Sequence, residues 1–280
     1  MSQENPKKIK IKLAGKDGNT YGTEPLTFGM PFAEGDFTST AGVSVTDPDG
    51  HHIQVQTECL TSWQKNGRDV KWLLMDIQRN QELNSDAILT AEYPTASEGR
   101  DVKAGPEGQT EIVVKESKEL LKIDTGVLRI DFRKSFDVWK VPSKSSVIAS
   151  CRLKTEDGWL EVQSGDGPVL YMKDQYGKCY DSLSSGFPPT VILEESGPLR
   201  VCILIKGFLT SETGVRFCPY QLRIHLYAGK SDLRVFHTFV FDQDPHSVEL
   251  SAIGIDFPLA LGDRLRAATG GDGGGAHFYE

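Results

Sequence analysis

The residues best suited to chemistry lie in an alternating stretch of the last third of the sequence, Gln221–Tyr227. Successive side chains of a strand point to opposite faces, so Arg223, His225 and Tyr227 share one face. Arginine and histidine can bond hydroxyls or a carboxylate, and a tyrosine ring can stack on the apolar face of a sugar. Two interpretations stay open: a platform for a polar ligand, or the solvated face of an antiparallel hairpin.

A second candidate is Asp124-Thr125-Gly126, which follows apolar residues and resembles the active-site signature of aspartic proteases. That chemistry needs two carboxylates that share one proton. The sequence contains no second Asp-Thr-Gly and no Asp-Ser-Gly. The segment therefore predicts a strand, a turn and a second strand rather than a protease.

Other motifs predict turns rather than cofactor sites. Asp47-Pro48-Asp49-Gly50 resembles the start of a calcium loop, but residues 51–56 supply no further acids and no closing glutamate. We therefore predict a hairpin turn there and no metal site. Motifs of serine hydrolases, dinucleotide-binding proteins, NTPases and zinc proteases are missing, so we predict no cofactor.

Trp63 and Trp72 flank an expected turn at Asn66-Gly67. They could form a sugar-stacking pair, but tryptophan is usually mostly buried, so we predict that both belong to the core. The five cysteines are an odd number and are widely scattered, which predicts buried free thiols rather than disulfides or a zinc site.

Composition excludes several classes of function. The 280 residues are 38% hydrophobic and 25% charged, as in a packed globular protein, and the net charge is −8. No dense basic patch is present, which argues against a nucleic-acid partner. No apolar stretch approaches the roughly 20 residues of a membrane helix. Residues 1–6 lack the features of a signal peptide, so the expected location is cytoplasmic.

The pattern of elements predicts an all-β protein. Short β-branched or aromatic runs end at Gly, Pro, Asp and Asn, and Glu116–Leu121 is the best candidate for a helix. A small, polar, glycine-rich stretch indicates a linker at 99–110. We therefore predict an N-terminal β domain at 1–98, an antiparallel β-sandwich at 111–262, and a flexible glycine-rich tail at 263–280.

Three parts of the sequence carry a family resemblance. Leu26–Gly35 resembles a Phe-Gly-x-Pro-Phe-x-x-Gly opening, and Gln54–Asp76 resembles a stretch that ends in Val-Lys-Trp. The third part joins Glu195–Arg200 to Arg223–Gly229 and Val235–Phe239. In this order the sequence resembles the YetA-like, exo-rhamnogalacturonan lyase family.

The resemblance implies a small RIFT-like β-barrel followed by the β-sandwich. In the family an α/α toroid follows and builds most of the active site, where β-elimination occurs at a uronic acid. The sequence contains no such helical domain, so no catalytic residues are assigned and a missing C-terminal helical domain is a possible partner. Family members often carry export signals. Two functions are expected: an ancillary, inactive region of a lyase-like protein with a carbohydrate ligand, or a non-catalytic glycan-binding or protein-interaction module.

Overall fold

The computed structural model describes residues 6–13, 24–38, 42–64, 69–79, 87–94, 110–136, 146–184 and 188–260, with the backbone of 267–270 and 276–279. Within these ranges every regular element is a β-strand, which confirms the all-β prediction. Glu116–Leu121 is not helical: Ser117 caps a tight turn between two strands, with its amide bonded to the carbonyl of Leu120 at 2.8 Å. In the described part of the chain no helix is long and apolar enough to span a membrane.

The chain divides into two compact units. The first comprises Met1–Ile112 together with the distant segment Glu195–Val201, and the second comprises Val113–Glu194 and Cys202–Glu280. The predicted linker at 99–110 lies outside the described residues, apart from Thr110.

The first unit holds two antiparallel sheets, with strand orders β1-β7-β3-β4 and β2-β6-β5. The strands are β1 (Lys7–Lys12), β2 (Glu24–Pro31), β3 (Ser44–Thr46), β4 (His52–Ile53), β5 (Val55–Ser62), β6 (Val70–Arg79) and β7 (Ile88–Tyr93).

Alternating side chains build the core of this unit. In β6, Leu73, Met75 and Ile77 are almost completely buried, because every second residue of a strand faces the same side. In β1 the isoleucines pack against the same core while the lysines stay exposed, which confirms the amphipathic pattern of the first strand. Phe32, Phe37 and Tyr93 add a cluster of three rings with centroids 4.8–5.5 Å apart.

The second unit holds a five-stranded sheet, ordered β12-β11-β10-β9-β8, and a larger sheet, ordered β18-β17-β16-β14-β13-β19, with β15 paired to β16. The first of these contains β8 (Val113–Glu116), β9 (Leu120–Asp124), β10 (Leu128–Arg133), β11 (Ile148–Thr155) and β12 (Gly158–Glu161). The larger sheet contains β13 (Val169–Asp174), β14 (Cys179–Asp181), β15 (Thr190–Ser196), β16 (Arg200–Thr210), β17 (Arg216–Tyr227), β18 (Arg234–Phe239) and β19 (Leu250–Asp256).

The long hairpin of β17 and β18 confirms the predicted alternation. Leu222, Ile224 and Leu226 are buried, at 5%, 1% and 0% exposure, and the residues between them form the opposite face. The register pairs Arg223 with Phe236 and extends from Tyr220–Phe239 to His225–Arg234.

Two further predictions can be compared with the described residues. The predicted tail at 263–280 contains two short strands that pair with each other, β20 (Ala267–Gly270) and β21 (Ala276–Tyr279). None of the five cysteines forms a disulfide, and of the thiols predicted to be buried only Cys202 and Cys218 are.

Candidate functional site

The predicted platform residues lie on the outer face of β17, but they differ in exposure. Arg223 and His225 are half-buried, whereas Tyr227 is only 7% exposed. The ring of Tyr227 is therefore not presented as a stacking surface. Arg223 and His225 are the two platform residues that reach the surface in part.

Arg223 is held in place by a carboxylate on β15. Its Nε and Nη2 donate to the two oxygens of Glu194 at 2.6 and 2.8 Å, a bidentate arrangement that fixes the plane of the guanidinium. These hydrogen bonds hold the pKa of Glu194 below its usual value. Arg223 therefore presents a fixed, partly neutralised cation.

His225 lies between a thiol and a ring. Its Nε2 is 3.7 Å from the buried Sγ of Cys202, and its ring meets that of Phe236 edge-on at 5.4 Å. Cys202 Sγ in turn lies 3.5 Å from Glu194 Oε2. Glu194, Cys202, Arg223 and His225 thus form one connected polar cluster on the sheet.

A concave pocket of about 430 Å³ lies farther along the same two strands. Gln221 stands two residues before Arg223, and its cross-strand partner Thr238 stands two residues after Phe236, so pocket and cluster share one face. The lining combines cations, hydroxyls, an amide, a ring and prolines: Pro188, Thr190, Lys206, Gly207, Phe208, Arg216, Pro219, Tyr220, Gln221, Thr238 and Val240.

The pocket offers the contacts that a glycan ligand needs. Phe208 is 37% exposed and supplies an apolar surface, with the Arg216 guanidinium 4.8 Å from its ring centre. Lys206 is exposed and can pair with a carboxylate, while Gln221 and Thr238 can bond hydroxyls. Sites of this kind commonly join an apolar floor to a few polar groups. None of these lining residues was singled out from the sequence, because they converge only when four strands are aligned.

Tyr220 is the pocket residue with a perturbed acidity. Burial raises the pKa of its hydroxyl, and only 3% of the residue is exposed. The phenol consequently stays protonated at neutral pH and is a hydrogen-bond donor rather than a base. Its ring packs so closely on Gly207 that a Cβ there would lie 2.6 Å from the hydroxyl oxygen.

The Asp-Thr-Gly segment has a structural role, in agreement with its interpretation as a turn. Asp124 accepts the amide of Gly126 at 2.8 Å and pairs with Arg129 at 2.7 Å. Thr125 is fully buried, and its hydroxyl donates to the carbonyl of Lys230 at 2.8 Å. Gly126 adopts a positive φ of 91°, which a turn residue without Cβ tolerates best.

The Asp47–Gly50 segment is a turn, as predicted. Asp47 accepts the amides of Asp49 and His51 at 3.0 and 2.8 Å, and the His51 ring lies 3.1 Å from its second oxygen. Burial alone would raise the pKa of Asp47, but the hydrogen bonds from His51 lower it overall. Asp47, Asp49 and His51 bring ligand-type atoms within 4.8 Å of one another, yet the Asp47 carboxylate is committed to the turn.

The prediction that Trp63 and Trp72 belong to the core is wrong. They are 42% and 40% exposed. Trp63 follows β5, and its Nε1 donates to the carbonyl of Phe32 at 3.0 Å. Trp72 lies across Gly29 of the neighbouring strand, where a Cβ would be 2.1 Å from the indole nitrogen. The missing side chain of Gly29 on β2 thus leaves room for the indole.

The first unit also contains a buried ionic cluster that sequence patterns did not reveal. Arg200, only 3% exposed, donates to Asp76 at 2.7 Å and also contacts Glu195. Thr27 donates to the same oxygen of Asp76 at 2.5 Å. Gln56 accepts the amides of Leu199 and Arg200 at 3.0 and 2.9 Å and donates to the carbonyl of Arg200 at 3.0 Å.

Comparison with known proteins assigns both regions. Residues 8–92 match the PcRGLX-like N-terminal RIFT barrel domain, and residues 112–267 match the PcRGLX-like protein central beta sandwich domain. Over 264 residues the chain is 23% identical to the uncharacterized protein YetA of Bacillus subtilis (strain 168), an alignment covering 91% of this chain and 27% of YetA. The predicted order of barrel and sandwich and the predicted family resemblance are confirmed. The chain spans about a quarter of the length of this curated relative.

Proposed function

The chain belongs to the PcRGLX-like family, and we propose that it forms the ancillary N-terminal region of a carbohydrate-active, polysaccharide lyase-like protein, with a pectin- or rhamnogalacturonan-type glycan held on the outer face of its sandwich. The pocket of about 430 Å³ beside Gln221 carries this proposal. It joins an exposed ring, an exposed lysine and an amide on one rigid sheet, and it continues toward the cluster around Arg223 and His225.

The lining favours an acidic sugar over a neutral one. Lys206 and Arg216 bring two cations to the pocket wall, and none of the described lining residues carries a carboxylate. A uronate can set its carboxylate against these cations while the apolar face of a neighbouring sugar covers Phe208. Because β17 and β18 hold the lining in a continuous ladder, the ligand meets a preformed surface.

The first prediction concerns the lysine. Lys206→Met should weaken binding of a uronate-containing rhamnogalacturonan oligosaccharide by roughly tenfold or more, since a charge-assisted hydrogen bond contributes about 1.5–3 kcal/mol. Lys173→Met is the matched control, because Lys173 is equally cationic and exposed but lies outside the pocket lining. Calorimetric titration gives both affinities. Equal affinities for the two variants would contradict the proposed site.

The second prediction is that this chain binds the oligosaccharide without cleaving it. β-Elimination needs a base to remove a proton next to the uronate carboxylate. Two pocket residues have side chains of a type that can act as such a base: Lys206 is proposed to pair with the carboxylate, and burial raises the pKa of the Tyr220 hydroxyl. A protonated phenol cannot accept that proton, so no unsaturated product should accumulate. Ultraviolet absorbance follows the product, and an absorbance increase that disappears in Tyr220→Phe would contradict this prediction.

One observation favours the alternative of a protein-interaction module. Edge strand β18 and the residue after it expose large apolar side chains: Phe236 at 48%, Phe239 at 37% and Val240 at 59%. Exposed edges of this kind can pair with another chain. A sedimentation experiment with and without the oligosaccharide separates the two functions, because self-association that the glycan does not disturb supports the interaction module.

A further inference from the structure

We propose a second carbohydrate site, on the first unit, in which the exposed indole of Trp72 stacks on a pyranose ring. It rests on the proposed function only in taking a glycan as the ligand, and it uses none of the sandwich residues. Trp72 is 40% exposed although its strand neighbours Leu73 and Met75 are completely buried. The large ring therefore faces away from the core of the unit.

Gly29 sets the orientation of this ring. On the paired strands Gly29 faces Leu74 and Pro31 faces Trp72, so the indole extends along β2 onto the glycine. A Cβ at Gly29 would lie 2.1, 2.8 and 3.1 Å from three atoms of the five-membered ring. The nitrogen edge of the indole thus lies against the backbone of β2, while 40% of the residue stays exposed. A flat, immobilised aromatic face is the surface on which the apolar side of a pyranose stacks, at little cost in side-chain entropy.

A polar contact is available beside the exposed ring. Thr61, the cross-strand neighbour of Trp72 on β5, is exposed, and its hydroxyl can bond a sugar hydroxyl at the rim of the indole.

Trp63 differs from Trp72 at the same exposure. Its Nε1 already donates to the carbonyl of Phe32 at 3.0 Å, and the ammonium of Lys71 lies 4.4 Å from its ring centre. A cation therefore lies close to the Trp63 ring, and its indole N–H is already bonded to the backbone. Trp63 serves as the matched control for the site.

The exposed area favours a sugar over a protein partner. A fully exposed indole side chain contributes at most about 250 Å², so the 40% exposure of Trp72 leaves roughly 100 Å² open. A stable protein interface buries about 800 Å² on each partner. One pyranose ring matches the open area, and a second protein chain does not.

Saturation-transfer and chemical-shift titrations of the full chain with a rhamnogalacturonan oligosaccharide test the site. In a Lys206→Met background, which weakens the sandwich site, the remaining binding should perturb the Trp72 indole signal. Trp72→Ala should weaken this remaining binding about fivefold or more, since a stacked ring contributes beyond its buried area. Gly29→Ala should also weaken it, because the new methyl group displaces the ring, while Trp63→Ala leaves it unchanged. Thermal melting checks that each variant is folded.

The outcomes are separable. Unchanged remaining binding in Trp72→Ala, together with the expected loss in Lys206→Met, overturns this site and leaves the sandwich site intact. The reverse result, loss in Trp72→Ala with no effect of Lys206→Met, supports this site and overturns the sandwich site. Concentration-dependent self-association that Trp72→Ala abolishes identifies a second copy of the chain as the occupant and overturns the glycan assignment.

Discussion

Replacement of Arg200 by methionine should lower the free energy of unfolding by about 3–5 kcal/mol, because it leaves two carboxylates buried without their cation. Asp76 and Glu195 both contact this guanidinium, and their side chains are 6% and 17% exposed. Methionine replaces much of the volume of arginine but none of its charge. Urea unfolding followed by tryptophan fluorescence measures the change.

Glu195→Gln is the control for this first prediction. The pKa of Glu195 is raised, chiefly by burial and further by the nearby Glu58 and Asp76, although Arg200 opposes the shift. The folded unit therefore holds this proton more tightly than the unfolded chain. The carboxylate form lowers the stability of the fold as the pH rises above 4.5, the usual pKa of a glutamate.

Removing this charge should therefore be nearly neutral or stabilising. Between pH 4 and pH 7 the free energy of unfolding of Glu195→Gln should rise relative to that of the native protein. It should also restore part of the stability lost in Arg200→Met. If Glu195→Gln instead loses 3 kcal/mol or more of unfolding free energy at pH 7, the attraction between Glu195 and Arg200 outweighs the cost of burying the carboxylate.

Replacement of Gly197 by alanine should cost about 2–3 kcal/mol, the second largest effect expected. A Cβ there would lie 2.1 Å from Cδ of Gln56 and 2.3 and 2.5 Å from its terminal oxygen and nitrogen. The Gln56 amide would have to leave its position, and its three hydrogen bonds to the backbone of Leu199 and Arg200 would be lost. Each unpaired buried group costs about 1–3 kcal/mol, part of which water recovers.

A double-mutant cycle tests this explanation. Gln56→Ala removes the same hydrogen bonds and the atoms that the new methyl group would meet. The double variant Gln56→Ala, Gly197→Ala should therefore be about as stable as Gln56→Ala alone, a strong departure from additivity. Additive losses would indicate that Gly197→Ala acts through the backbone instead.

The sequence predicted those features that depend on neighbours along the chain. Alternation placed Leu222, Ile224 and Leu226 on the buried side of β17, and turn chemistry located the Asp47 and Thr125 turns. The same local logic failed for Trp72, because its exposure depends on Gly29, a residue of another strand. Tyr227 lies on the face that the alternation predicts, but it is buried. A period-two pattern predicts the face of the sheet on which a side chain lies, not whether other residues cover that face.

Features that join distant residues could not be predicted. Lys206, Gln221 and Thr238 line one pocket, although each comes from a different strand. Arg200 and Asp76 are 124 residues apart, and nothing in the local composition of either stretch indicates the pairing. Buried ion pairs and pockets arise from register between strands, which hydrophobic periodicity does not encode.

The discontinuous first unit also has a consequence for the order of synthesis. Its segment Glu195–Val201 is synthesised long after Ile112. The unit therefore lacks this segment while translation adds about 90 residues, which takes roughly 5–20 s at ordinary elongation rates. During that interval Asp76 has no guanidinium, and the strands that flank it remain only partly closed. Contacts of such long separation in sequence slow folding and prolong the exposure of unpaired strands. We therefore expect the nascent first unit to expose unpaired strands until Glu195–Val201 has left the ribosome.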